Sequence, residues 1–250
     1  MELQVKAATR PEKEASSPPT RHEHHRDVQG GAARAAVFGV SDGLITNDSL
    51  ILGVAGANPA PGFVRLAGLA GLVAGAFSMA AGEYMSMRAQ SELIEREVSI
   101  EREALRRHPE SERRELIALY VSRGVPREAA EQVAEAVNRD PELALEVHSR
   151  EELGVNPDST GSPPAAAASS FASFAVGAVV PLLPWFFTGG TRAVLISVLL
   201  GATMAVGIGV AVATFTGRSR VRTALRQLVI AAAAAAVTYG VGTLVGVHSS

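Results

Sequence analysis

The 250 residues contain no cysteine. Disulfides and thiolate metal sites are therefore excluded. Any metal must be held by carboxylate, imidazole, thioether or carbonyl groups. The first 30 residues contain no apolar core, so no cleavable signal peptide is visible and the first apolar helix is expected to serve as its own insertion signal. There is no large excess of either charge, the net value being -2. No nucleophile–base constellation is present, so covalent catalysis is not expected and the chain is not read as an enzyme. Nucleic acid is not expected as a partner.

What is present is unevenly distributed. The hydrophobic fraction of 47% averages two unlike materials. Residues 32–87 and 166–248 are rich in Ala, Gly, Val and Leu, whereas 88–155 are charged and helix-prone. Residues 1–31 are polar, carry RHEHHR at 21–26, and predict a disordered tail in which His22, His24 and His25 could touch metal. Five stretches approach the ~20 residues needed to cross hydrocarbon: roughly 33–57, 63–87, 167–188, 192–216 and 225–247. Pro181 and Pro184 predict a kink or an end to the third. AAAAAA at 231–236 leaves room for close packing in the fifth.

The basic residues orient this arrangement. All of the 23 Lys and Arg except Arg65 and Arg192 fall on one side if there are five spans. The positive-inside rule then puts the N-terminus in the cytoplasm and the C-terminus outside, with the short RSRVR loop as its best signal. High Ala, Gly and Arg content suggests a GC-rich bacterium and hence a plasma membrane.

The middle segment reads as soluble helices. Residues 88–107 continue the second span with dense Glu and Arg, His108-Pro109 interrupts, and helices are predicted over 110–122 and 127–138. Asp140-Pro141 has the form of an N-cap followed by proline at the first helical position. That last helix runs to Glu152, Gly154 ends it, and 156–166 form a linker back to the membrane.

Ionisable residues inside a membrane cost about 2.5–3.5 kcal/mol each on insertion scales and are read as functional by default. Asp42, Thr46 and Ser49 follow i, i+4, i+7 along the first span, with Asn47 and Asp48 nearer another face. In the second span Gly71, Gly75, Met79, Glu83 and Met87 recur every four residues. Gly71 and Gly75 form a GxxxG that lets another helix approach. Carboxylate is a hard ligand and thioether a soft one, a mixture that suits Fe²⁺ better than Mg²⁺ or Ca²⁺. Carboxylates also accept protons when a metal leaves. In the soluble part Glu97, Glu101, His108, Glu112 and Glu115 share a face if the helix is continuous, which Pro109 opposes. Glu92, Glu95 and Glu103 lie close by, and Glu151 comes from the last helix. Several helices supplying Glu to one place is how metal sites in bundles are built.

FGVSDGLITNDSLILGVAGA (38–57), AGAFSMAAGEYMSMRAQSE (74–92) and DPELALEVHSREELG (140–154) resemble the vacuolar iron transporter family. The resemblance covers nearly the whole chain from about residue 30. It implies a dimer whose first helices line a path at the two-fold interface, exchanging Fe²⁺ or similar ions for protons, with a cytoplasmic helical domain that gathers metal. Asp42 matches the family's first-helix aspartate and Met79 its second-helix methionine. Glu101, Glu112 and Glu115 match metal-domain glutamates, and Glu151 the one on the last helix. Two positions depart: a methionine pair stands here as Val147-His148, and one glutamate falls on Ala104 beside Glu103. His148 would replace a thioether with imidazole.

The expectation is an all-α protein, a five-helix transmembrane bundle with an inserted cytoplasmic helical metal-binding domain. Its parts are a tail (1–31), transmembrane helices 1–2 (32–87), the metal-binding domain (88–155), a linker (156–166) and transmembrane helices 3–5 (167–248). The expected activity is proton-coupled export of Fe²⁺, with Mn²⁺ also considered, as a homodimer and with no permanently bound cofactor. The expected metal residues are Asp42, Met79, Glu83, Glu101, Glu103, Glu112, Glu115, His148 and Glu151. Zn²⁺ is a further candidate for the bound ion. The rival readings are a membrane-anchored iron-binding or storage protein without transport, and a transporter of an organic solute.

Overall fold

The computed structural model of the protein describes residues 31–154 and 161–248. The polar tail with His22, His24 and His25 lies outside the described residues. Among the described residues every regular element is helical: α1 (Gly31–Gly56), α2 (Pro61–Arg107), α3 (Pro109–Ser122), α4 (Arg127–Val137), α5 (Pro141–Glu152), α6 (Pro163–Leu182), α7 (Gly190–Thr216) and α8 (Arg220–His248). Four of these begin with proline in the first turn, where its missing N–H costs nothing. At α5 the Asp140 carboxylate also caps the helix, accepting from the Glu142 backbone N–H at 3.0 Å. Pro181 lies one residue before the end of α6, and the chain continues as a 3-10 turn over Leu183–Phe186. Ser197 Oγ donates to the Pro181 carbonyl at 2.7 Å and accepts from Trp185 Nε1 at 3.1 Å, so polar groups near this irregular end are paired.

Five helices, within α1, α2, α6, α7 and α8, are long and apolar enough to cross a membrane. α1 is at the centre and packs against the other four, while α2–α6–α7–α8 form an arc around it. The arc is open between α2 and α8, which share no substantial contact. Burial follows this order: 44% of the most apolar 18-residue stretch of α1 is buried within the chain and none of the corresponding stretch of α8 is.

Small residues set the spacing around α1. A Cβ on Gly43 would lie 2.8 Å from the Phe174 carbonyl carbon on α6, and one on Gly177 would lie 2.8 Å from the Leu44 backbone nitrogen. Gly53 and Gly242 bring α1 and α8 together in the same way. The GxxxG of α2 works differently from the expectation. Gly71 receives the Leu50 and Asn47 side chains of α1, and Gly75 receives the Phe174 ring of α6. These glycines accommodate neighbouring side chains, whereas the closest backbone approaches occur at Gly242, Gly43 and Gly177. The alanine run 231–236 is only partly covered within the chain.

α2 is 47 residues long, roughly 70 Å at 1.5 Å per residue and far more than a bilayer needs. Its second half carries a separate helical unit with its own core of Leu116, Ile117, Ala130, Ala134, Val137 and Ala144. Among the described residues, none from α1, α6, α7 or α8 enters that core.

Gly43→Val is expected to overpack the α1–α6 crossing and destabilise the protein by about 1–3 kcal/mol or more. Gly207→Ala meets nothing within 4 Å and is expected to be neutral or to stabilise by up to ~1 kcal/mol. Thermal unfolding of the two variants in detergent, followed by size exclusion, compares them.

Candidate metal centre

The break at His108-Pro109 creates the site. α2 ends at Arg107, Pro109 opens α3, and the reversal brings Glu112, in the first turn of α3, back over Glu101 in the last turns of α2. α5 returns across α2 and supplies His148 and Glu152, which are one turn apart on the same face. One ligand atom from each of Glu101, Glu112, His148 and Glu152 can be chosen so that all lie within 4.8 Å of one another. His148 is fully buried, Glu101 and Glu112 are each 9% exposed, and Glu152 closes the outer side.

His148 Nδ1 lies 3.1 Å from Glu152 Oε1 and 3.2 Å from Glu101 Oε1. One Nδ1–H cannot satisfy both carboxylates, and Glu101 Oε1 has no hydrogen bond. His148 Nε2 is also buried without a partner. Three carboxylates thus share a partly buried site with a single imidazole. Burial pushes the Glu101 carboxyl up, and the Glu152, Glu112 and Glu115 charges add to this while His148 opposes it. Burial likewise raises Glu112, with Glu115 and Glu152 adding to the shift. A divalent cation would supply the missing positive charge. Oxygen and imidazole donors together suit Fe²⁺, Mn²⁺ or Zn²⁺.

The other expected residues of this unit lie elsewhere. Glu103 is ion-paired with Arg106, at 3.1 Å, and with Arg107. Glu115 is exposed at the edge, close enough to act electrostatically on Glu101 and Glu112. Glu151 pairs with Arg123, which also reaches the Glu151 carbonyl at 3.2 Å. Glu152, which sequence reasoning passed over, stands in the cluster. The signal that finds it is the i, i+4 spacing from His148, whereas Glu151 at i+3 turns toward α3. Val147 joins the apolar core.

In the membrane half, Asp42 lies exposed on α1 and accepts a hydrogen bond from Thr46 Oγ1 at 3.2 Å. Phe38, Asp42, Thr46 and Leu50 are all exposed and recur every four residues, a stripe on the uncovered side of α1. Ser49 does not share it, being 8% exposed and facing a groove between α1 and α8. Met79 packs beside Ala76, Phe174 and Ala178. Glu83 is half-buried on α2.

Glu101 and Glu112 bind protons more tightly folded than unfolded, so over the range between those two conditions the folded chain holds more protons. Metal-free stability therefore falls as pH rises through and above the ordinary carboxylate range. Glu112→Gln is expected to flatten this fall and, without metal at pH 8, to raise the melting temperature by roughly 2–4 °C, the size of a 1 kcal/mol effect in a chain of this length. The same change is expected to reduce the stabilisation given by added Fe²⁺. Melting curves of the full chain in detergent at pH 5 and pH 8, with and without metal, measure both.

Residues 33–243 match the sequence model of the VIT family. The vacuolar iron transporter of Acanthamoeba castellanii (strain ATCC 30010 / Neff) is 37% identical over 195 residues, which is 74% of this chain and 70% of that protein. Vacuolar iron transporter 1 of Eucalyptus grandis is 31% identical over 230 residues, covering 90% of this chain and 91% of its own. Vacuolar iron transporter 1 of Oryza sativa subsp. japonica is 29% identical over 228 residues, 90% of each. The match reaches from the first span into the fifth and takes in the helical unit between them, and with five apolar helices, four of them packed around α1, this chain is an integral membrane protein that belongs to the VIT family, the family of the vacuolar iron transporters.

Proposed function

We propose that the protein exports Fe²⁺, and also Mn²⁺, from the cytoplasm in exchange for protons, working as a homodimer. The observation that carries this reading is the exposed stripe of Phe38, Asp42, Thr46 and Leu50 on α1. A carboxylate on the uncovered side of a membrane helix is costly against lipid. A second copy packed against the same opening covers it and places two Asp42 side chains across a shared axis. Metal ions pass between them along a path lined by α1 and α2, where Met79 adds a soft donor and Glu83 stands midway along α2, where its apolar half gives way to the half that carries the helical unit. An Asp42 carboxylate that releases a metal ion takes up a proton, which links the two movements.

The helical unit between α2 and α6 is the cytoplasmic metal-binding domain. Its Glu101, Glu112, His148 and Glu152 cluster captures the ion before transfer, and Glu115 contributes charge from the rim. The cytoplasmic side is supported by the exposed arginines Arg218, Arg220, Arg222 and Arg226 at the same end of the bundle. This puts the N-terminus inside and the C-terminus outside. Composition supports a bacterial plasma membrane, while the relatives named above come from an amoeba and from plants.

The test is Fe²⁺ flux into proteoliposomes with and without an imposed pH gradient. Gradient-driven flux in the wild type is expected, and Asp42→Asn is expected to reduce it at least tenfold while leaving Fe²⁺ binding by the cytoplasmic cluster intact. Iron binding without flux in the wild type would instead favour an anchored binding protein.

A further inference from the structure

A second carboxylate is enclosed within the bundle. Asp48 lies in the middle of α1, six residues beyond Asp42, and is only 7% exposed. It is seated against α7 at Gly201: a Cβ built on that glycine would lie 2.9 Å from Asp48 Oδ2. Asp48 Oδ1 is buried without a hydrogen-bond partner, and no described residue forms an ion pair with this side chain.

The charged and titratable groups around it explain why. α6 contains none. α7 has Arg192 alone, at its start and nine positions from Gly201. On α8, Arg220, Arg222 and Arg226 occupy the first two turns, Tyr239 lies beside Gly56, two turns further along α1, and His248 ends the helix. On α2, Gly71 faces Asn47, which puts Arg65 to one side of this level and Glu83 and Tyr84 well to the other. On α1 itself the nearest is Asp42, on the open face. The hydroxyl of Ser197, one turn from Gly201, is already committed to Pro181 and Trp185.

The neighbouring polar atoms do not converge on a metal site. Successive residues of a helix are turned by about 100°. Asn47 points to α6, donating to the Ala178 carbonyl at 2.6 Å, Asp48 points to α7, and Ser49 faces the α1–α8 groove. Among the described residues, a metal ion at Asp48 would find one carboxylate and no second carboxylate or imidazole grouped with it. A proton needs only one.

We infer that Asp48 is a proton-carrying site inside the bundle, separate from the metal path at Asp42: it is protonated when α1 and α7 are closed on it and gives up the proton when that contact opens. The inference rests on the proton-exchange reading above and supplies it with a carrier that does not compete with the metal for the same oxygen atoms. The step is an acid–base exchange in which the Asp48 carboxyl loses H⁺ to water and later regains it.

The experiment uses the full chain in proteoliposomes and compares wild type, Asp48→Asn and Asp48→Glu. Asn has nearly the shape of the protonated aspartic acid but cannot release a proton. The expected result is an infrared band of a protonated carboxyl at neutral pH that Asp48→Asn removes. With it, the ratio of Fe²⁺ flux with and without a pH gradient should fall to one in Asp48→Asn and stay above one in Asp48→Glu. An unchanged flux ratio in Asp48→Asn, or no change in the carboxyl band, overturns the inference. A ratio of one in the wild type overturns the exchange reading itself and the inference with it, an outcome distinct from wild-type coupling that survives in Asp48→Asn.

Discussion

Negative charge taken out of water needs a positive partner, and this chain withholds one where it matters. Its arginines neutralise acids along the outer faces of the helical unit: Arg88 with Glu92, Arg127 with Glu131, Arg139 with Glu135, Arg150 with Glu146. Among the described residues, no arginine pairs with the Glu101, Glu112, His148 and Glu152 cluster, with Asp42 or with Asp48. Exposed pairs of this kind are worth little to stability. Their effect is to leave a small number of carboxylates uncompensated, and those are the ones that a mobile cation or proton can satisfy. The wider architecture serves to hold them in place.

That placement depends on α1. Four helices pack around it, and close crossings at Gly43, Gly177 and Gly53 draw it into the bundle. Asn47 and Asp48 face inward as a result, while Phe38, Asp42, Thr46 and Leu50 remain on the open side. One helix therefore presents one carboxylate to the interior and another to the opening. The long α2 joins this bundle to the helical unit, carrying the second-span stripe and Glu101 on a single rod. The proposed capture site and the proposed path are thus mechanically connected through α2.

The fold was legible because its signals are long and repeated. Twenty-residue apolar stretches, prolines at helix starts and Asp140 ahead of Pro141 are local features that tertiary packing does not override. The candidate site was legible only in part. Glu101, Glu112 and His148 could be named from spacing and resemblance. Glu152 could not be separated from Glu151 until the direction of α5 against α2 was known, since one residue turns a side chain by about 100°. Glu103 illustrates the same difficulty: a glutamate on a charged helix has arginines three and four residues away, and which of them it meets is decided in three dimensions. The role of Gly71 and Gly75 was also hidden, because a sequence shows where side chains are missing but not whether a backbone or a ring fills the space. Asp48 drew little attention in the sequence for a related reason, its burial being decided by the close approach of α7 at Gly201.

The central claim is that the open side of α1 is a shared interface through which metal passes. The absence of cysteine makes a direct measurement possible, since a single introduced thiol has no native competitor. Thr46→Cys, in membranes under mild oxidation, measures whether two copies bring this face together. A disulfide-linked dimer whose formation is altered by Fe²⁺, with no comparable product from Leu199→Cys on the outer face of α7, is the result this account predicts. Equal cross-linking at both positions, or none at Thr46→Cys, would contradict it.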